Sequence, residues 1–188
     1  MPEDARNVLV VTKDKKISSM IRAMLVEPLF SLCVSEDFND ARRKCVDQSF
    51  SIIIVDYGEG EGSDFAIDIS SSLSAVLLLA PISNFDQISY RVECYGIITM
   101  TKPFDQFYFY NMIKAAIAFQ YKMALMSSQT TRLKVKMDEI KILSRAKMLL
   151  MQELSLTEEE AHHWIEKEAM NRGEKKLEIA NEIVKKYG

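Results

Sequence analysis

Glycine and proline are scarce in this 188-residue chain, with 6 and 4 copies. A turn-rich all-β sandwich needs more of both. Cysteine is scarce too. Cys33, Cys45 and Cys94 are odd in number, widely spaced and form no CxxC pair, which argues against a disulfide framework or zinc ribbon and for a reducing, cytoplasmic setting. Long apolar runs are missing. Stretches such as Ala75–Ile82 fall far short of the roughly 20 residues of a membrane span. The first residues, MPEDARN, are acidic and polar and lack a signal-peptide pattern. Neither sign of charge dominates: 24 Lys and Arg face 27 Asp and Glu, for a net charge of −3. From Arg132 onward there are 12 basic and 11 acidic residues, against 12 and 16 before it, so anion binding points to the C-terminal third. What is present is ordinary for a globular chain: 48% hydrophobic and 27% charged residues, with 11 methionines that favour helix-rich packing. The length suits one standard domain plus a small one.

The first 120 or so positions alternate between strand-like and helix-like patterns. Asn7–Val11 is a short Val-rich run. Ile17, Met20, Ile21, Met24 and Leu25 then recur at helical spacing. Leu29–Val34 reads as a second strand, and Asp37 as the N-cap of a helix containing Phe38, Ala41 and Cys45. Ser51–Val55 is a β-branched run of the kind buried on both faces of a parallel sheet. It ends at Asp56, before a Gly-rich loop at Gly58–Gly62. Ser74–Leu79 and Gly96–Met100 repeat the pattern, and Lys102-Pro103-Phe104 follows. The expected fold is an α/β doubly wound parallel five-stranded sheet, receiver- or flavodoxin-like.

After Phe104 the period changes. Asp105 to Glu153 holds no Gly or Pro. Apolar residues recur at Phe109, Met112, Ile113, Ala116 and Ile117, then at Leu133, Met137, Ile140 and Leu143. A helix of about 45 residues would be about 68 Å long, too long for one small domain to cover. The simplest partner is a second copy, in a coiled coil seamed by Phe109, Ile113, Ile117, Leu133, Met137 and Ile140. Ser127-Ser128-Gln129-Thr130-Thr131 is a poor helix former and a place for a break. Thr157-Glu158-Glu159-Glu160 is a capping box, with Ala161, Trp164, Ile165 and Ala169 following at helical spacing. Gly173 ends that helix, and Leu177, Ile179, Ala180, Ile183 and Val184 stripe the next. The expected domains are 1–120 (receiver-like), 121–140 (coiled-coil linker) and 141–188 (three helices, all-α).

Asp56 at the end of the third strand and Lys102-Pro103-Phe104 after the fifth make the first part resemble a response-regulator receiver domain. The resemblance implies a phosphoacceptor role for Asp56, a phosphate-pairing role for Lys102 and a cis Lys-Pro bond. The departures imply a degenerate pocket. Where receivers place the acidic residues that hold Mg²⁺, this chain has Thr12-Lys13-Asp14. The Ser/Thr position at the end of the fourth strand is Ala80, and the aromatic switch position is Thr99. Phosphoryl transfer needs a divalent cation to neutralise the phosphate oxygens. A lysine such as Lys13 beside Asp56 would neutralise the carboxylate instead, giving a permanent ion pair. The reading is a pseudo-receiver with no cofactor.

The stretch Ala146–Met151, then Leu156–Ile165, Ala169-Met170 and Ile179-Ala180 resembles an ANTAR domain, the RNA-binding module of transcription antiterminators. The resemblance implies binding to paired stem-loops in an mRNA leader, so that polymerase reads through a terminator. A homodimer would engage two loops, gaining affinity through effective concentration. The RNA-binding candidates are Arg145, Lys147, His163, Lys167, Arg172, Lys175 and Lys176. Arg172, Lys175 and Lys176 cluster at the start of the last helix, a natural phosphate site. Trp164 shares a face with Ala161 and Ile165 and is assigned to the core, and His163 to the surface. Input would come from a partner protein or small ligand, with no membrane involved. Other readings are a phosphorylation-dependent regulator with the same output, a DNA-binding regulator and a helical adaptor. An enzyme ranks last, because no nucleophile–base pair, metal set or phosphate-cradling loop stands out.

Overall fold

The computed structural model describes residues 5–188, so the acidic Met1–Asp4 segment lies outside the described residues. The chain divides into two compact units, Met1–Leu125 and Met126–Gly188.

In the first unit five strands form one parallel sheet in the order β2-β1-β3-β4-β5. They are β1 (Arg6–Val11), β2 (Phe30–Ser35), β3 (Ile52–Asp56), β4 (Ala75–Pro81) and β5 (Ile98–Lys102). Between them run α1 (Lys15–Met24), α2 (Phe38–Asp47), α3 (Glu61–Ile69) and α4 (Phe85–Val92). Parallel strands can be joined only by crossovers, and helices supply them. The central strands are apolar throughout because both sheet faces are covered. Val8, Val10, Ile52, Ile54, Leu77 and Leu79 face one layer with Ile21 of α1 and Phe109, Ile113 and Ile117. Leu9, Val11, Ile53, Val55, Val76 and Leu78 face the other, against Ala41, Phe65, Ala66, Ile88 and Val92 of α2–α4.

β5 begins at Ile98 rather than Gly96. Gly96 has φ 72° and makes the left-handed turn that admits the strand, a conformation glycine adopts without strain. Asp37 caps α2, its carboxylate accepting from the Asp40 N–H at 2.9 Å.

α5 runs from Gln106 to Leu154. The helix continues through Ser127–Thr131, where the sequence left room for a break. The Thr130 and Thr131 hydroxyls donate to the Met126 and Ser127 carbonyls at 2.9 and 3.0 Å, so these residues bond back onto the helix instead of competing with it. The structure also corrects the seam. Phe109, Ile113 and Ile117 are buried in the first unit's own core and cannot face a second chain. Leu133, Met137 and Ile140 are exposed by 62%, 58% and 62%. Within Phe107-Tyr108-Phe109-Tyr110, Phe109 is core while the other three are exposed.

The second unit packs the end of α5 against α6 (Glu158–Arg172) and α7 (Lys176–Tyr187). Its core is built on small residues: Ala146, Ala161, Ala169 and Ala180 alternate with Leu150, Ile165, Ile179 and Ile183. Thr157 and Glu160 form the expected capping box, and Gly173, at φ 65°, ends α6. Among the described residues no helix is long and apolar enough to cross a membrane.

Gly62 is the tightest backbone approach near Asp56. A Cβ there would lie 2.2 Å from the Asp56 carbonyl oxygen and 2.8 Å from the Tyr57 Cα. Gly62→Ala therefore destabilises the first unit by roughly 1–3 kcal/mol, read from the urea midpoint.

Candidate functional site

In a doubly wound sheet the crevice opens at the carboxyl ends of the strands, where the order reverses. Here that point lies between β1 and β3. Parallel pairing of Val11 with Val55 brings the next residues, Thr12 and Asp56, side by side. Both are buried, at 5% and 8% exposure. The Thr12 hydroxyl donates to Asp56 Oδ2 at 2.8 Å, and the Lys102 ammonium, at the end of β5, pairs with Oδ1. A buried carboxylate held this way is both paired and hydrogen-bonded, the condition for leaving a charge out of water. The Lys102-Pro103 bond is cis, as the resemblance implied.

The lysine on Asp56 is thus Lys102 and not Lys13. Lys13 is exposed and lines the same crevice of about 230 Å³. The Asp14 carboxylate is committed elsewhere, accepting from the Lys16 and Ile17 N–H groups at 2.7 and 3.3 Å as the cap of α1. Ala80 is fully buried and offers no hydroxyl. Thr99 meets Ser89 of α4, hydroxyl to hydroxyl, at 2.8 Å. Glu36, Glu59 and Glu61 also line the crevice. Sequence reading missed them, although Glu36 follows β2 at the edge where the strands end. Among the described residues no three His, Cys, Asp or Glu side chains gather into a metal-holding group. Asp56 is tied to Lys102 and Thr12, and Asp14 to a helix terminus.

In the second unit the basic candidates fall into two sets. Lys147, Arg172 and Lys176 are held by glutamates. Lys147 Nζ lies 2.5 Å from Glu158 Oε1 and Lys176 pairs with Glu166. Arg172 forks onto both Glu182 oxygens at 2.6 and 2.8 Å and also reaches Glu174, clasping α6 to α7. The expected Arg172–Lys175–Lys176 phosphate cluster is therefore partly neutralised from within. Arg145, His163, Lys167 and Lys175 are exposed and take no part in the ion pairs formed among the described residues.

His162 is exposed as well as His163, with its Nε2 3.3 Å from Glu166. Trp164 is corrected from core to surface. It is 38% exposed and absent from the cluster of Ala161, Ile165 and Ala169. The i, i+4, i+8 row of those three fixes the buried face. Trp164 sits about 100° off Ile165, on the flank shared with Lys167.

Comparison with known proteins agrees with this geometry. The first unit has the receiver fold. The chain superposes on NtrX from Brucella abortus in complex with ADP with TM-score 0.60 at 16% identity, covering 69% of this chain and 30% of that one. Full-length FixJ from B. japonicum matches with TM-score 0.57 at 13% identity, over 97% of each chain. At such identities the likeness shows fold alone. Residues 131–184 match the ANTAR domain, so the chain joins a receiver fold to a C-terminal ANTAR domain. The aliphatic amidase regulator of Pseudomonas aeruginosa is 33% identical over 94 residues, 50% of this chain and 47% of that protein. Transcriptional regulatory protein PdtaR of Mycobacterium tuberculosis is 23% identical over 129 residues, 68% of this chain and 63% of that protein. The matches thus span less than two thirds of either relative.

Glu158, Glu160, Glu166 and Glu182 are held below the ordinary value of 4.5. The hydrogen bond from Lys147 acts on Glu158, that from Lys176 on Glu166 and that from Arg172 on Glu182, while the Thr157 backbone acts on Glu160. A lowered folded-state value gives stability that is present above the unfolded value and is lost as pH falls through the folded one. The melting temperature of the chain therefore drops as pH falls below 4.5. Glu182→Gln, measured by circular dichroism, removes part of that drop. Each pair is exposed, so the effect is modest and shrinks with added salt.

Proposed function

We propose that this chain is an RNA-binding transcription regulator of the antitermination kind, in which the ANTAR domain engages stem-loops of an mRNA leader. The ANTAR match over residues 131–184 carries the reading. Two relatives whose names describe regulators support it, and the relatives do not point to an enzyme. RNA loops offer unstacked bases and phosphates, and the second unit presents a matching set: Arg145, His163, Lys167 and Lys175 exposed, with Lys147 and Lys176 on exchangeable glutamate partners. Near-neutral charge in this third favours loop contacts over duplex DNA, whose binding rests on neutralising many phosphates.

The exposed stripe Leu133, Met137 and Ile140 has the 3-4 spacing of a coiled-coil seam, and a homodimer through it would present two domains to two loops. The first unit is then a pseudo-receiver, read by a protein or small ligand: Thr12 and Lys13 stand where receivers carry acidic residues, Asp14 caps α1, and Ala80 offers no hydroxyl beside Asp56. A second reading keeps phosphorylation as the input. It draws on Asp56 and Lys102 standing together at the strand ends.

Purified protein binds a labelled leader RNA carrying two short stem-loops and leaves matched duplex DNA free. Lys147→Ala weakens RNA binding and lowers the salt slope by about one. Equal binding to DNA and RNA would contradict the proposal. Incubation with a small phosphodonor and Mg²⁺ leaves the intact mass unchanged. A phosphoryl-mass adduct that disappears in Asp56→Asn would establish the second reading instead.

A further inference from the structure

The second unit holds an apolar cleft of about 190 Å³ between α5, α6 and α7. Ile140, Leu143, Ser144 and Ile165 line it, together with Lys147, His162, Glu166 and Lys176. That volume is below the roughly 300–1,000 Å³ of sites for drug-sized molecules, so it suits one flat ring group. The apolar wall is surrounded by groups that attract an anion. Lys147 is three-quarters covered, with a side-chain exposure of 23%, and its ammonium turns to Glu158. Lys176 and His162 both converge on the Glu166 carboxylate, His162 at 3.3 Å. The unit's own glutamate therefore stands where cations gather beside an apolar wall. An apolar slot with clustered cations at its rim complements a base joined to a phosphate.

We propose that this cleft receives one unstacked base of an RNA loop, and that the phosphate next to it displaces Glu166 from Lys176. The inference rests on the RNA-binding reading above and adds where and how the loop is held. The base packs on Leu143 and Ile165, leaving Ile140 to the dimer seam. Lys176 and Lys147 act as point charges on the phosphate, as lysine does in phosphate sites generally. A base inside a duplex is stacked on both faces and cannot enter, so the cleft selects loops. Ile140 lies at the end of the exposed α5 stripe, which makes a second copy of this chain the competing occupant.

The test uses the full chain and three RNAs: a stem with an unpaired loop, the same stem with abasic loop positions, and the bare duplex. Ser144 is exposed and lies outside the core cluster, so it tolerates change. Ser144→Leu fills the cleft and weakens binding to the looped RNA by roughly 5- to 150-fold, the range of one lost base contact. Gln152→Leu, at an exposed α5 position outside the cleft, leaves it unchanged. The abasic RNA binds weakly and no longer distinguishes the variants. Glu166→Gln tightens looped-RNA binding several-fold at low salt. Ser144→Leu binding like the unaltered chain overturns the cleft alone, as does equal loss on looped and abasic RNA. A shift in solution mass with RNA affinity unchanged assigns the cleft to a second copy. Failure of the unaltered chain to bind any of the RNAs removes the RNA reading itself.

Discussion

The buried carboxylate of Asp56 is the constraint around which the first unit is arranged. A charge in that position is costly unless it is paired, and the pairing comes from two other strand ends: Thr12 after β1 and Lys102 closing β5. The three strands are brought together by a sheet whose central members are apolar on both faces, so the clasp and the packing depend on each other. Gly62, in the first turn of α3, lies hard against the backbone of Asp56 and Tyr57 and leaves no room for a side chain. The crevice at the strand ends thus carries a carboxylate that is already paired and hydrogen-bonded.

The second unit solves a different problem. Three short segments of helix have little apolar surface to bury, so alanines at Ala146, Ala161, Ala169 and Ala180 let the backbones approach closely. Outside that core, glutamates neutralise three of the basic groups, and Arg172 clasps α6 to α7 through Glu182. Surface pairs of this kind contribute little to stability and exchange partners readily.

Much of this was legible in the residues. The Val- and Ile-rich runs located all five strands, and the Thr157–Glu160 box and Gly173 bounded α6 within a residue. Asp56 and Lys102 were singled out by the resemblance to receiver domains, and the structure places them in contact. Two expectations failed for reasons of packing. Phe109, Ile113 and Ile117 carry a helical stripe that a partner chain or the sheet could cover equally well, and the sheet covers them. Trp164 is one position off the Ala161–Ile165 row, and the ambiguity of 100° per residue put it inside. The polar patch at Ser127–Thr131 remained helical because its hydroxyls could bond back to the preceding turn.

By itself the sequence determined the periodicities: which runs are strands, where helices start and stop, and which C-terminal stretch resembles an RNA-binding module. Those are local signals, set by side-chain alternation and capping within a few residues. Only the tertiary structure decided partners. Whether Lys13 or Lys102 meets Asp56, whether Lys147 is free or bound to Glu158, and which face of α5 is left for another molecule depend on residues far apart in the chain. Ion pairs and buried faces are formed across elements, and their choice follows from the closed packing of the whole unit rather than from any one segment.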